Sequence, residues 1–331
     1  MWLDDDEENE SSWKAYSLAC RTNADARFMD RFKKVKRLAA YFSEGIRNPL
    51  PRKIGMEVET SFVTEDGKPI SETTSQKILS SLLEKGKIHI VEQQGEKITV
   101  LQGEDGERYL YELGRQNIEF SSSPQHDTEY LLKDARRKLG ELYRCARTHG
   151  AYPLEDPILE TREDLLMVPD DRDATWIQLD GRAALKPLAT ISAVQFTIDV
   201  SLETAIPVLN RLGRNIQGFL DDYPQDRVWR AYICDSLANY HADRYGGPLF
   251  FESISDYCDK LVLHDVVQKG KLVPYRKCEA VDIPLYLRSI WWYFRLRRYG
   301  NSLCIEVRPL PRRGDKLFEK QLKFVLDVMN L

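Results

Sequence analysis

The chain has no CxxC pair, no apolar run near the roughly 18 residues a membrane span needs, and no basic start followed by an apolar stretch. The opening MWLDDDEENE is acidic instead, and a soluble, cytosolic protein is the expectation. Cys20, Cys145, Cys234, Cys258, Cys278 and Cys304 lie far apart, which argues against a zinc site or a disulfide framework and reads as reduced thiols. GxxxxGK[ST], GxGxxG ahead of a βαβ unit and GxSxG are all missing, so the P-loop, dinucleotide-binding and hydrolase-elbow readings lose first place. The five histidines show neither metal-ligand spacing nor a triad. Charge of one sign is not in excess: 48 Lys plus Arg stand against 52 Asp plus Glu, a net charge of -4. Nothing global therefore points to nucleic acid, and any anion must be held by a local site.

What is present is ordinary globular material, with 42% hydrophobic and 30% charged residues in 331. Residues 1–23 read as a loose acidic tail and 24–331 as one α+β domain with a helical excursion at about 202–290. Phe28, Phe32, Val35, Leu38 and Phe42 fall at helical spacing, and the basic stretch from Arg31 to Arg37 beside them reads as a solvated helix face. Helical patterns also cover Ser75 to Lys85, Asp127 to Thr148, Leu202 to Leu220 and Lys316 to Asn330. Strand patterns cover 53–63, 88–92, 97–102, 109–112, 117–121, 191–200 and 302–310.

Three of these strands carry chemistry, because residues two apart in a strand share a face. KIGMEVETSFV puts Ile54, Met56 and Val58 on one side and Glu57 and Glu59 on the other; ISAVQFTIDV opposes Val194, Phe196 and Ile198 to Gln195 and Thr197. SLCIEVRPL separates Leu303, Ile305 and Val307 from Cys304, Glu306 and Arg308. One apolar and one polar face per strand predicts a mainly antiparallel sheet with helices on one side and an open face on the other. In YELGRQNIEFSSSP, Glu112 and Glu119 stand an odd seven residues apart and converge only if the chain bends at Leu113-Gly114-Arg115.

Carboxylates of Glu57, Glu59, Glu112, Glu119 and Glu306 on one face would repel unless divalent cations lay between them, and hard oxygen ligands favour Mg²⁺ or Mn²⁺. Gln195 can add a neutral carbonyl oxygen, and Arg308 aims a cation into the same cleft, a combination that suits a nucleoside triphosphate. Arg182 and Lys186 are further candidates for phosphate contact, set against the plainer reading of surface cations. Trp291 and Trp292 could stack on a base, but core packing is the preferred reading. Exposed sheet faces also carry Glu, Thr and Arg as solvated cross-strand pairs; coincidence in four segments is what favours a site.

In series, GMEVET, YELGRQNIEFSSSP, TISAVQFTIDV and SLCIEVRPLP resemble the glutamate–cysteine ligase and carboxylate–amine ligase superfamily, whose catalytic domain is similar to glutamine synthetase. The four motifs occur in the family's order and span roughly residues 53 to 311. The resemblance implies a concave antiparallel sheet whose Glu57, Glu59, Glu112, Glu119, Gln195 and Glu306 are metal ligands, with Arg308 next to the transferred phosphate. It further implies Mg²⁺ or Mn²⁺, ATP as cosubstrate, and amide formation between a small-molecule carboxylate, glutamate among the candidates, and an amine. A guanidino-kinase-like phosphotransferase on related architecture and a non-catalytic binding scaffold are the alternatives.

Overall fold

Alternating aliphatic residues give strands, and three- and four-residue spacing gives helices, over most of the ranges expected. A computed structural model describes residues 30–47, 51–167 and 171–331; Cys20, Phe28 and the acidic tail lie outside them. Helix α1 (30–43) leads to β1 (Ile54–Val63), α2 (Glu72–Leu83), β2 (Ile88–Gln94), β3 (Lys97–Gly103), β4 (Arg108–Tyr111) and β5 (Asn117–Ser121). There follow α3 (Thr128–Arg147), β6 (Tyr152–Pro153), α4 (Asp171–Asp180), α5 (Arg182–Leu185), β7 (Ala193–Asp199), α6 (Leu202–Arg214), α7 (Ile216–Leu220) and α8 (Gln225–Asp235). The chain ends with β8 (Tyr245–Gly246), α9 (Ile254–Leu261), β9 (Val266–Gln268), β10 (Lys271–Val273), α10 (Ile283–Arg288), β11 (Trp291–Trp292), β12 (Phe294–Tyr299), β13 (Ser302–Pro311) and α11 (Phe318–Met329).

The fold is α+β, built on a nine-stranded sheet in the order β12-β13-β7-β1-β5-β4-β3-β2, with β6 also paired to β1. Every pairing in it is antiparallel, and β1 sits near the middle. The apolar sides of β1, β7 and β13 are fully packed: Val58, Phe196, Ile305 and Val307 are wholly buried. They share one core with Leu139 and Leu142 of α3, Leu209 of α6 and Val325 of α11. Helix starts are capped in the expected manner: the Asp127 carboxylate accepts from the Tyr130 amide at 2.8 Å, and the Ser201 hydroxyl from the Thr204 amide at 3.3 Å.

The expected single helix from Leu202 to Leu220 is two helices, because at Asn215 the backbone leaves the helical region (φ -101°, ψ 13°) and the side chain donates to the Arg211 carbonyl. The stretch after α6 contains α7 to α10 but also two small ladders, β9 with β10 and β8 with β11. Trp292 is buried in the core, and Trp291 packs among Trp176, Trp229, Tyr232 and Tyr240, so both follow the packing reading. Phe42, Leu38 and Val35 of α1 are buried while Phe32 is exposed. Cys145, Cys234, Cys258, Cys278 and Cys304 are free thiols.

The face assignment has a direct stability test. Val307→Ala removes two methyl groups from a wholly buried site, and should lower unfolding stability by roughly 1 to 3 kcal/mol in urea titration. A loss near zero would place Val307 on the wrong side of the sheet.

Candidate active site

The polar face is assembled by register. In β1 Glu57 stands opposite Gln195 of β7, and Glu59 opposite Glu119 of β5. Glu306 of β13 stands opposite Thr197 on one side and Arg295 of β12 on the other. Glu112 joins from just past the end of β4, and its convergence with Glu119 comes from the bend at Leu113-Gly114-Arg115 that the odd spacing requires. The bend is a full hairpin reversal: Leu110 pairs with Glu119, and Glu112, two residues on, shares their face. An odd spacing is then no obstacle. Gly114 makes the reversal possible at close quarters: a Cβ there would lie 2.6 Å from the Ala189 carbonyl oxygen and from the Gln116 side chain.

Oxygens of Glu59, Glu112 and Glu119 come within 4.8 Å of one another. Burial raises the Glu59 carboxyl to about 8, with Glu112 adding to the effect, and burial together with Glu57 and Glu112 pushes Glu119 well above the usual range. Glu57 is raised to about 7, first by burial and then by Glu306. Glu306 is different. Burial would raise its pKa as well, but Arg295, Arg308 and Arg297 outweigh it and hold the carboxyl far below the ordinary value. Arg295 grips it in bidentate fashion, Nε to Oε2 and Nη2 to Oε1 both at 2.8 Å, while Arg308 Nη1 donates to Oε1 at 2.6 Å. Arg297 Nε lies 3.6 Å from Oε2.

Gln195 joins the two halves. Its Oε1 accepts from Arg308 Nη1 at 2.9 Å, and its Nε2 donates to Glu59 Oε1 at 3.0 Å, while the Ala193 amide holds the other Glu59 oxygen at 2.8 Å. The six residues expected as one ligand set thus stand in two settings. Glu59, Glu112 and Glu119 form a repulsive trio with Glu57 nearby, whereas Glu306 and the Gln195 carbonyl are already engaged by guanidinium groups.

Parts of this face are less open than strand alternation implies. Glu306 is 3% exposed and Gln195 5%, because the chain beyond β7 folds back over them: Arg295 Nη1 donates to the carbonyls of Leu287 and Ile290, and Gln225 Nε2 to that of Ser192. Arg182 and Lys186 do not join the network. Both pair with Asp164, at 2.7 and 3.2 Å, which answers their charge locally. Arg295 and Arg297 were missed in the sequence. Their signal is the alternation in FRLRRY, where Phe294 and Leu296 oppose Arg295 and Arg297, adjacent to the Trp pair.

Comparison with known proteins finds a likeness at the level of the fold alone. No protein-family model matches the chain, and no curated protein does. The fold is similar to a bifunctional glutathione synthetase from Pasteurella multocida, at 11% identity and a TM-score of 0.48, over 91% of this chain and 41% of that one. It is also similar to a glutamate–cysteine ligase from Francisella tularensis in complex with AMP, at 11% identity and a TM-score of 0.47, over 85% of this chain and 66% of that one. A third likeness is to the complex of the prokaryotic ubiquitin-like protein Pup and its ligase PafA, at 11% identity and a TM-score of 0.39, over 85% of this chain and 47% of that one. The chain therefore spans less than half the length of the first and third and about two thirds of the second.

Proposed function

We propose that the protein is an ATP-dependent carboxylate–amine ligase whose site is the polar face of β1, β5, β7 and β13. The observation that carries this reading is the hydrogen-bonded relay Arg308–Gln195–Glu59, which sets a guanidinium group suited to a phosphate beside a trio of crowded carboxylates. The donor set fits Mg²⁺ or Mn²⁺: Glu59, Glu112 and Glu119 offer hard oxygens, and their mutual repulsion is the kind a divalent ion offsets. When bound, such an ion would screen the charge of the polyphosphate and polarise its oxygens.

The rest follows from the chain's own groups. A substrate carboxylate oxygen attacks the γ-phosphorus of ATP, ADP leaves, and an acyl phosphate results. An amine nitrogen then attacks the acyl carbon, phosphate leaves with the bonding pair, and the amine gives up a proton. Arg308, fixed by Glu306 and Gln195, faces the phosphoryl oxygens as charge shifts onto them. The site holds these partners by position and charge, and no side-chain nucleophile is needed.

Trapping the activated acid tests the reaction class. With a competent carboxylate, glutamate being the first to try, hydroxylamine should replace the amine and give a hydroxamate with ADP and phosphate in equal amounts. ADP accompanied by a stable phosphorylated product and no hydroxamate would overturn the ligase reading in favour of a phosphotransferase.

Cation binding can be tested without turnover. Carboxyls raised in the folded protein keep protons that the unfolded chain has lost. Their contribution to stability is full below the ordinary carboxylate range and falls away as pH rises through about 7 for Glu57 and about 8 for Glu59. A divalent cation competes with those protons, so the rise in melting temperature on adding Mg²⁺ should be larger at about pH 8.5 than at about pH 6. A shift of equal size at both, or none, would count against these carboxylates as ligands.

A further inference from the structure

We infer that residues 4–10, DDDEENE, dock within the same molecule in a basic groove between α1 and the turn Tyr275–Lys277. The groove has a volume of about 440 Å³ and is lined by Lys33, Lys34 and Arg37 from α1 and by Arg276 and Lys277 from the turn. Asp30 and Glu279 are the two carboxylates on its rim. Two contacts fix its shape. Lys34 Nζ donates to the carbonyls of Tyr275 and Cys278, at 3.3 and 2.5 Å, stapling one wall to the other, and Arg31 binds both oxygens of Asp259 in α9, at 2.7 and 2.6 Å. Unlike Arg31, the groove cations Lys33, Arg37, Arg276 and Lys277 have no ion-pair partner among the described residues, and they are exposed.

Five cations held together in a chain of net charge -4 repel one another and call for an anion. The chain supplies one: six of the seven residues in 4–10 are acidic. The tether is short as well, since Asp30 lies on the groove itself and about 20 residues separate it from Glu10, a reach of at most about 70 Å. Tethering of this length converts weak surface ion pairs into a local interaction at millimolar effective concentration. A free polyanion would have to compete with this tethered segment, whose six acidic residues exceed the chain's whole net charge of -4.

Zero-length carbodiimide coupling of the full chain, read by mass spectrometry, tests the docking, since it joins only carboxylates and amines already in contact. An equal mixture of isotopically light and heavy chain separates coupling within a molecule from coupling between molecules. The expected result is light–light and heavy–heavy links from residues 4–10 to Lys33, Lys34 or Lys277, lost in high salt as ionic screening requires. An Arg37→Glu, Arg276→Glu double variant, which touches no buried position, should lose the links while melting at an unchanged temperature. Links spread evenly over distant lysines such as Lys85 and Lys320, links between light and heavy chains only, or links indifferent to the double substitution would each overturn the proposal.

Discussion

Glu306→Gln should be among the most destabilising single changes available, with a loss of about 3–5 kcal/mol in urea titration. The isostere keeps the volume and one carbonyl oxygen but removes the charge that Arg295, Arg297 and Arg308 share. Three guanidinium groups in a region where Glu306 is 3% exposed would then lose the carboxylate they contact directly, leaving only Glu57 and Glu59 further off. Water cannot take over at Arg295, which is 6% exposed and tied to the Leu287 and Ile290 carbonyls. Arg297→Ala offers the contrast: its contact to Glu306 is long, at 3.6 Å, and its loss should cost far less. Equal stability of Glu306→Gln and the unaltered protein would show that the arginines do not depend on this carboxylate.

Arg308→Ala should reduce acid- and amine-dependent ADP release on the order of 10²-fold or more. Its guanidinium is the one cation of the group tied both to Glu306 and, through Gln195, to the Glu59 trio. Strand alternation alone predicts little loss of folding stability, and the contacts give that loss a size. Arg308 gives up a 2.6 Å contact to a buried carboxylate, but Arg295 keeps both oxygens of Glu306 engaged, so a stability loss of only about 1–2 kcal/mol is expected. Activity and melting measured on one preparation separate the two effects. If lost turnover merely follows the unfolded fraction, Arg308 is a structural cation and nothing more.

The strands bearing the acidic residues were legible because their alternation is clean over five or more residues. An apolar face such as Met56, Val58, Phe196 and Val307 has one place to go, and the opposite residues follow. What alternation could not give is which acids end up beside which cations. That depends on strand order: β13 is joined to β7 and β12, and β12 lies just beyond a pair of tryptophans whose apolar character masks the arginines that follow. Enclosure was also hidden, because the carbonyls of Leu287 and Ile290 that hold Arg295 are backbone groups with no side-chain signature. The spacing of Glu112 and Glu119 was informative for a definite reason: parity along one strand forbids their meeting, so the chain had to turn between them, and across the resulting hairpin the register decides.

The position of β1 has a consequence for how this site could work in time. Strand β1 is laddered to β5 on one side and β7 on the other, with the rest of the sheet outside them. Opening fluctuations of a folded chain run from nearly free at frayed ends to the full cost of global unfolding at the centre of a sheet. Backbone amides around Glu57 and Glu59 belong to the last class, so the backbone beneath these acids keeps its spacing short of unfolding. Whatever admits and releases ligands must be the surrounding segments, moving against a frame that does not breathe.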